Sequence, residues 1–189
     1  MTSSKHPSVP TAHIDFACPE DDVVVIRVVG RGSFQNSVAL RNIPRLAHET
    51  YPDGPDQRRY VVDLKECVTM DSTFFGVLAS IGVAQFKANK GRMVLVNANQ
   101  HVARIMDTLG LTRVMDLREA NPVAQRPAQF TPVQVEDPDK LDRIVLMLEA
   151  HQQLIELYDS NRARFKNVME CLEASLEAER GRDSSSSAP

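Results

Sequence analysis

The sequence predicts an α/β domain with a mostly parallel β-sheet and flanking helices, followed by a helical C-terminal extension. Short β-branched runs alternate with helical patterns over residues 12–120, which is typical of βαβ crossovers. Residues 121–136 are rich in proline and poor in large apolar side chains, so they predict an extended linker. Residues 139–180 contain neither proline nor glycine and carry a regular apolar stripe, which predicts a long helix or a helical hairpin.

The composition is that of a water-soluble chain of one ordinary domain plus an extension. Of 189 residues, 42% are hydrophobic and 25% are charged, and the formal net charge is -3. A charge so close to zero gives no indication of a nucleic-acid or membrane partner, and no apolar stretch is long enough to cross a bilayer. The polar residues 1–11 are expected to be a disordered tail rather than a secretory signal.

Cysteine usage agrees with a reducing compartment. Cys18, Cys67 and Cys171 are odd in number and far apart, which argues against a disulfide framework and against a zinc site. We therefore expect a cytoplasmic protein.

The first part of the domain predicts two strands and a helix. Alternating residues at 12–18 and the β-branched run at 23–29 predict an antiparallel hairpin. The sequence Gly30-Arg31-Gly32 is expected to end the second strand, and Ser33 is expected to cap a helix over residues 34–50.

The remaining elements complete the order β-β-α-β-α-β-α-β. One helical face collects Phe75, Leu78, Gly82 and Phe86, and Gly91 is expected at the C-terminus of that helix. The predicted elements are strands at 60–64, 93–96 and 113–117 and helices at 72–89 and 100–109.

The extension is predicted to begin at Asp137-Pro138, an N-cap acid followed by proline, and to run to residue 180 before a disordered tail, residues 181–189. Its first half is apolar beyond the heptad stripe, which favours packing against the domain or in a bundle. Its second half resembles a dimer seam, although Asp159-Ser160-Asn161 is able to break the segment into a hairpin. The stripe, in which His151 and Arg162 are polar interruptions, consists of Leu141, Ile144, Leu148, His151, Ile155, Tyr158, Arg162, Phe165, Met169, Leu172 and Leu176.

The most informative segment lies between residues 60 and 111. It contains Tyr60-Val-Val-Asp-Leu64, Met70-Asp71-Ser72-Thr73, Gly76-Val77-Leu78, Gly91-Arg92-Met93-Val94-Leu95-Val96, Val102-Ala-Arg-Ile-Met-Asp107 and Gly110-Leu111. In these motifs the chain resembles the STAS domain of bacterial anti-sigma-factor antagonists, over roughly residues 12–118 in element order.

The Asp71-Ser72-Thr73 box has a physical interpretation of its own. It lies where a loop meets a helix N-terminus, whose first N–H groups lack helical partners and carry positive partial charge. A hydroxyl there can cap the helix, and a phosphate would be stabilised by the same groups. Phosphorylation adds about -1.5 to -2 charges, enough to repel an acidic partner surface.

The resemblance implies that Ser72 is phosphorylated by a partner anti-sigma factor with GHKL-type serine kinase activity, with Thr73 as the alternative acceptor. It further implies that only the unmodified form captures that partner. The implied partner-binding residues are Asp71, Ser72, Thr73, Phe74, Arg31 and Ser33.

Two positions depart from the family pattern. Phe74 stands where the family usually has glycine, and an aromatic there is able either to block a kinase or to contact a different partner. Arg31-Gly32-Ser33 replaces an acidic pair in the loop after the second strand. Two alternatives therefore stand beside the switched antagonist: a constitutive scaffold that oligomerises through residues 137–180, and a subunit of a transport or chemosensory assembly.

No catalytic constellation emerges from the sequence. The five histidines are scattered and none has a ligand at metal-site spacing. We expect a non-enzymatic protein without a cofactor or a metal.

Overall fold

The computed structural model describes residues 11–119, 129–134 and 137–186, with side chains described up to residue 182. The strands are β1 His13–Glu20, β2 Val23–Gly32, β3 Arg59–Asp63, β4 Cys67–Met70, β5 Met93–Val96, β6 Met115–Arg118 and β7 Thr131–Pro132. The helices are α1 Ser37–Thr50, α2 Ser72–Lys87, α3 Gln100–Thr108, α4 Lys140–Leu157 and α5 Ser160–Ser186, with a 3₁₀ turn at Leu111–Arg113.

The sheet is mixed and mostly parallel, as the sequence predicts. Its order is β6-β5-β3-β2-β1-β7, and β4 pairs with the end of β2 outside this path. Strands β2, β3, β5 and β6 are parallel, and β1 forms an antiparallel hairpin with β2. The crossovers through α1, α2 and α3 bring the carboxyl ends of the parallel strands to one edge, where loops that carry function are commonly placed.

Strand β4 is not predicted by the sequence, and its presence changes where β2 ends. Gly30, Arg31 and Gly32 continue β2 instead of ending it, because they pair in parallel with β4. Gly30 has a φ of 72°, which glycine adopts without a steric penalty, and the register shifts directly after it.

Two helix boundaries also differ from prediction. Helix α1 begins at Ser37 after the N-cap residue Asn36, so Ser33 does not cap it and belongs to the preceding turn. Helix α2 ends at Lys87, four residues before Gly91, and its Phe86 is 49% exposed rather than inward.

The main core lies between the sheet and the helices. It is built from aliphatic and aromatic side chains with almost no solvent exposure, including Ile14, Phe16, Ile26, Leu40, Ile43, Leu64, Phe74, Phe75, Leu78, Met93, Leu95 and Met106. A second cluster, formed by Val23, Val25, Val61, Val94 and Val96, packs against Phe130. Burial of this kind stabilises a fold by about 25 cal/mol per Å² of apolar surface.

Of the predicted linker 121–136, the structure describes residues 129–134. Within it, Thr131–Pro132 pairs antiparallel with β1 at the edge of the sheet. Proline is compatible with an edge strand because no further strand needs its missing N–H. Residues 1–10 of the predicted N-terminal tail lie outside the described residues.

The extension forms two helices rather than one rod. Helix α4 ends at Leu157, and α5 begins at Ser160 and continues to Ser186, beyond the predicted end at residue 180. Helix α4 packs against α2 of the domain and against α5. Side chains of the apolar stripe pack against other parts of the same chain, since four of them are each less than 9% exposed: Ile144, Ile155, Phe165 and Leu172. We call α4 and α5 together the C-terminal hairpin.

Candidate functional site

The site lies where the end of β2, the end of β4 and the start of α2 meet. The N–H of Asp71 donates to the carbonyl oxygen of Gly32 at 3.0 Å, which holds the two strand ends together. A β-carbon on residue 32 would lie 2.8 Å from atoms of Met70 and Phe74, so only glycine permits this approach. Pairing of β4 with β2 therefore places the Asp-Ser-Thr box at the sheet edge.

Asp71 is the N-cap of α2. One carboxylate oxygen accepts from the N–H of Phe74, the third residue of the helix, at 2.9 Å. The other accepts from the N–H of Phe34 at 2.8 Å, in the loop after β2. The aspartate thus caps the helix and fixes the neighbouring loop. The hydroxyl of the adjacent Ser72 is not used as the cap, so it can form a different hydrogen bond.

Ser72 is the first residue of α2 and is half-buried. Its Oγ lies 2.9 Å from Nε2 of His151, on α4 of the C-terminal hairpin. The predicted acceptor is therefore at a helix N-terminus as expected, and its hydroxyl is hydrogen-bonded to a residue 79 positions away in the chain.

The surroundings of His151 define the direction of this hydrogen bond. Its Nδ1 lies 2.7 Å from the carbonyl oxygen of Met147, which can only accept, so Nδ1 carries the proton. In the neutral ring Nε2 is then the acceptor and the Ser72 hydroxyl donates to it. His151 is 2% exposed, and the ring of Phe165 meets it edge to face with centroids 5.0 Å apart.

The other predicted partner-binding residues differ in exposure. Arg31 is exposed beside the box. Thr73, Phe74 and Ser33 are 3%, 0% and 8% exposed, so these three side chains lie inside the fold. Among the predicted residues, the surface at this edge is therefore formed by Arg31 together with the half-buried Asp71 and Ser72.

The C-terminal hairpin contacts the domain most closely at the middle of α4. A β-carbon on Gly76 of α2 would lie 2.2 Å from the carbonyl oxygen of Ala150, so the two helix backbones touch. This contact is next in sequence to His151 and one helical turn from Ser72.

The turn of the C-terminal hairpin is held separately. Asn161, fully buried, donates from Nδ2 to the carbonyl oxygens of Leu109 at 3.0 Å and Leu154 at 2.8 Å. Arg113 donates to the carbonyl oxygen of Leu157 at 3.1 Å and its guanidinium lies 4.7 Å from the ring centroid of Tyr158. The C-terminal hairpin is thus attached to the domain both near Ser72 and at its turn.

Thiol chemistry is disfavoured near the box. Burial raises the pKa of the Cys67 thiol, in β4, to about 11. Burial also raises the pKa of Cys18, against the opposing effect of the Arg58 guanidinium. Both thiols are therefore protonated near neutrality and are weak nucleophiles.

No three His, Cys, Asp or Glu side chains in the described part of the chain are grouped as metal ligands would be. None of the helices it contains combines the length and the apolar character that a bilayer-spanning segment needs.

His151 is the site residue that the sequence interpretation missed. It was identified only as a polar interruption of the apolar stripe. A polar residue on a stripe that becomes buried needs a hydrogen-bond partner, and that requirement is the signal that points to Ser72 or an equivalent group.

Comparison with known proteins gives a family match. The family model described as the STAS domain matches residues 19–124, which is more than half of the 189-residue chain. No curated protein sequence matches this chain.

Several solved structures are similar in fold. The anti-sigma factor antagonist SpoIIAA in its unphosphorylated form is 15% identical, with a TM-score of 0.46 over 59% of this chain and 93% of that one. A putative anti-sigma factor antagonist from Thermotoga maritima is 18% identical, with a TM-score of 0.46 over 58% of this chain and 89% of that one. The phosphorylated form of the Bacillus cell fate determinant SpoIIAA is 18% identical, with a TM-score of 0.45 over 59% and 95%. By the match of its family model, the chain belongs to the STAS domain family.

Proposed function

We propose that this protein is a cytoplasmic, non-enzymatic signalling module that captures an anti-sigma factor with GHKL-type serine kinase activity, and that phosphorylation of Ser72 switches the capture off. The observation that supports this best is the position of Ser72. It is the first residue of a 16-residue helix, half-exposed at the sheet edge, with the capping role taken by Asp71.

This division of roles favours a regulatory serine. A serine that capped α2 could not be modified without loss of the cap, which is worth about 1 kcal/mol. Because Asp71 supplies the cap, a phosphate on Ser72 leaves the helix start intact. The free N–H groups of the first turn and their positive partial charge would stabilise the phosphate.

The electrostatic effect of the phosphate suits a switch. Because Arg31 is exposed and the Asp71 carboxylate is half-buried, the surface around the unmodified Ser72 is close to neutral. A phosphoserine adds about -1.5 to -2 charges beside the carboxylate of Asp71 and makes the local charge negative. Like charges placed opposite each other at an interface lower affinity and slow association.

The experiment is partner capture by charge variants. The GHKL-type anti-sigma kinases of the source organism are purified one at a time, and their affinity for the full chain is measured by calorimetry. We expect Ser72→Asp to abolish capture and Ser72→Ala to retain it within about fivefold, since it loses one hydrogen bond. Ser80→Asp is the matched control, because Ser80 is exposed two turns further along the same helix. Equal affinity of Ser72→Asp and Ser80→Asp would overturn the switch.

A specific observation supports a second candidate function, a constitutive STAS scaffold. The hydrogen bond from Ser72 to His151 gives the serine a structural role that needs no modification. In that case neither Ser72 variant changes capture, and removal of residues 137–180 disrupts assembly of the copies, which sedimentation measures.

A further inference from the structure

We propose that His151 couples the modification state of Ser72 to the docking of the C-terminal hairpin, so that phosphorylation of Ser72 loosens α4 from α2. This inference rests on the proposed function, since it concerns the regulation of the same serine. It starts from the contact between the two side chains, 2.9 Å from Oγ to Nε2.

The chemistry of modification removes this contact. Phosphoryl transfer from a nucleoside triphosphate forms an Oγ–P bond and breaks the bond from the γ-phosphorus to the diphosphate leaving group. The hydroxyl proton passes to a base in the active site of the kinase and from there to solvent, so the serine oxygen no longer has a hydrogen to donate. With the proton of His151 on Nδ1, Nε2 then faces an oxygen that cannot serve as its donor.

Geometry gives the same result. A gap of 2.9 Å between Oγ and Nε2 has no room for a phosphoryl group. Either the modified side chain of residue 72 turns away from α4, or α4 moves back from α2. In both cases the hydrogen bond is lost, and a ring that is only 2% exposed is left with an unpaired acceptor. A buried acceptor without a donor is destabilising, and movement of α4 toward solvent relieves it.

Contacts next to His151 extend the loosening along α4. Ala150, which touches the backbone of Gly76, precedes His151, and Met147, which receives its Nδ1–H, lies one turn earlier. A shift at His151 therefore loosens residues 144–151 first. The hydrogen bonds of Asn161 at the turn do not depend on Ser72, so the turn stays attached.

Among the described residues, no ion pair holds His151 in place of the lost hydrogen bond. In the described part of the chain, the histidines that lie within ion-pair distance of a carboxylate are His13 and His48, not His151.

This coupling also predicts which surface the captured partner contacts. If the unmodified form is the competent one, the C-terminal hairpin is docked in the competent state. A captured partner then contacts the rim formed by Arg31, Asp71 and the docked α4, rather than the face of α2 beneath it. Phosphorylation acts twice on that surface, through charge and through the loosened helix.

The test is hydrogen–deuterium exchange of the full chain carrying phosphoserine at residue 72, installed during translation, against the unmodified chain. We expect amides in residues 144–151 to exchange about tenfold faster, as the loss of a hydrogen bond to a buried group implies. Amides of α3, residues 100–108, serve as the internal reference and should keep their rate.

Two variants separate the role of His151 from general loosening. His151→Phe keeps an aromatic ring against Phe165 and removes the acceptor, so phosphoserine should accelerate exchange there less than it does in the chain with His151. Ser72→Ala removes the donor without adding charge and should accelerate the same amides by several-fold. The second variant keeps the test decisive if the first does not fold.

Three outcomes would overturn the coupling: unchanged exchange at residues 144–151, slower exchange, or equal acceleration in α3. Slower exchange would mean that a phosphate–imidazolium pair tightens the docking instead. Because the phosphoserine is installed without a kinase, these results do not depend on whether Ser72 is phosphorylated in cells. Failure of the proposed function appears instead in the capture experiment with Ser72→Asp.

Discussion

The backbone of Gly76 on α2 lies against the backbone of Ala150 on α4, so closely that a β-carbon at residue 76 would be 2.2 Å from the Ala150 carbonyl oxygen. Gly76→Ala therefore has to push the two helices apart, and we expect a loss of roughly 1–3 kcal/mol in the free energy of unfolding, measured with urea.

The matched control for this substitution is Gly82→Ala on the same helix. A β-carbon at residue 82 would be 3.3 Å from the terminal carbon of Met115, whose flexible side chain can move aside. Gly82→Ala should therefore keep the stabilisation of up to about 1 kcal/mol that alanine gives over glycine in a helix. If both variants were equally stable, the close docking of α4 would be contradicted.

Asp71 is expected to be more important for stability than an ordinary helix cap. Asp71→Ala loses the hydrogen bonds from Phe74 and Phe34 together, so we expect a loss of about 2 kcal/mol in the free energy of unfolding. Asp71→Asn keeps one side-chain oxygen, so its stability should lie between that of Asp71→Ala and that of the unmodified chain. Asp139→Ala is the control, because Asp139 caps α4 through a single hydrogen bond to the N–H of Asp142. Urea unfolding in which Asp71→Ala is no worse than Asp139→Ala would disprove the double role.

Asn161 anchors the turn of the C-terminal hairpin from a fully buried position. Asn161→Asp places a carboxylate against the carbonyl oxygens of Leu109 and Leu154, with no donor in place of Nδ2. We expect a loss of about 3 kcal/mol in unfolding free energy, the size typical of an uncompensated buried charge. Asn167→Asp makes the same change on the exposed surface of α5 and should stay within about 0.5 kcal/mol. Similar unfolding midpoints for the two variants would argue against the anchor.

The three cysteines should differ strongly in reactivity. Cys171 is exposed, whereas burial raises the pKa of Cys67 from 9.0 to about 11. At pH 8 only about a thousandth of Cys67 is thiolate by that value, so iodoacetamide should modify Cys171 first, as followed by mass spectrometry. Rapid labelling of Cys67 in the folded chain would contradict its burial.

The same pKa shift has a consequence for stability. A thiol whose pKa is higher in the folded than in the unfolded chain binds more protons when folded. Its contribution is therefore fully present below about pH 9 and is lost as the pH rises toward 11. Cys67→Ala should remove this part of the alkaline destabilisation in urea titrations at pH 8 and pH 11.

The sheet and its crossovers were predictable because the strands that build them carry a local pattern. The β-branched run at Val23–Val29 and the apolar run at Met93–Val96 specify buried strands by themselves. Strand β4 was not predictable in this way, because the pattern of Cys67–Met70, with its exposed Val68, neither alternates cleanly nor forms a continuous apolar run. Its existence depends on pairing with the end of β2, which is a tertiary contact.

The candidate site was predictable only in part, for the same physical reason. The position of Ser72 at a helix N-terminus follows from residues next to it in sequence. The partner of its hydroxyl is His151, which the chain brings close only after α4 folds back over α2. Likewise, the sequence identified Asp159-Ser160-Asn161 as a possible break, but not that Asn161 would be buried against Leu109.

The most direct measurement of the central claim is phosphopeptide mass spectrometry of the full chain after incubation with ATP and each GHKL-type anti-sigma kinase that binds it. The account predicts phosphate on Ser72, none on the buried Thr73, and none on any serine of α2 in Ser72→Ala. An unmodified Ser72 with every kinase that binds the protein would contradict the account.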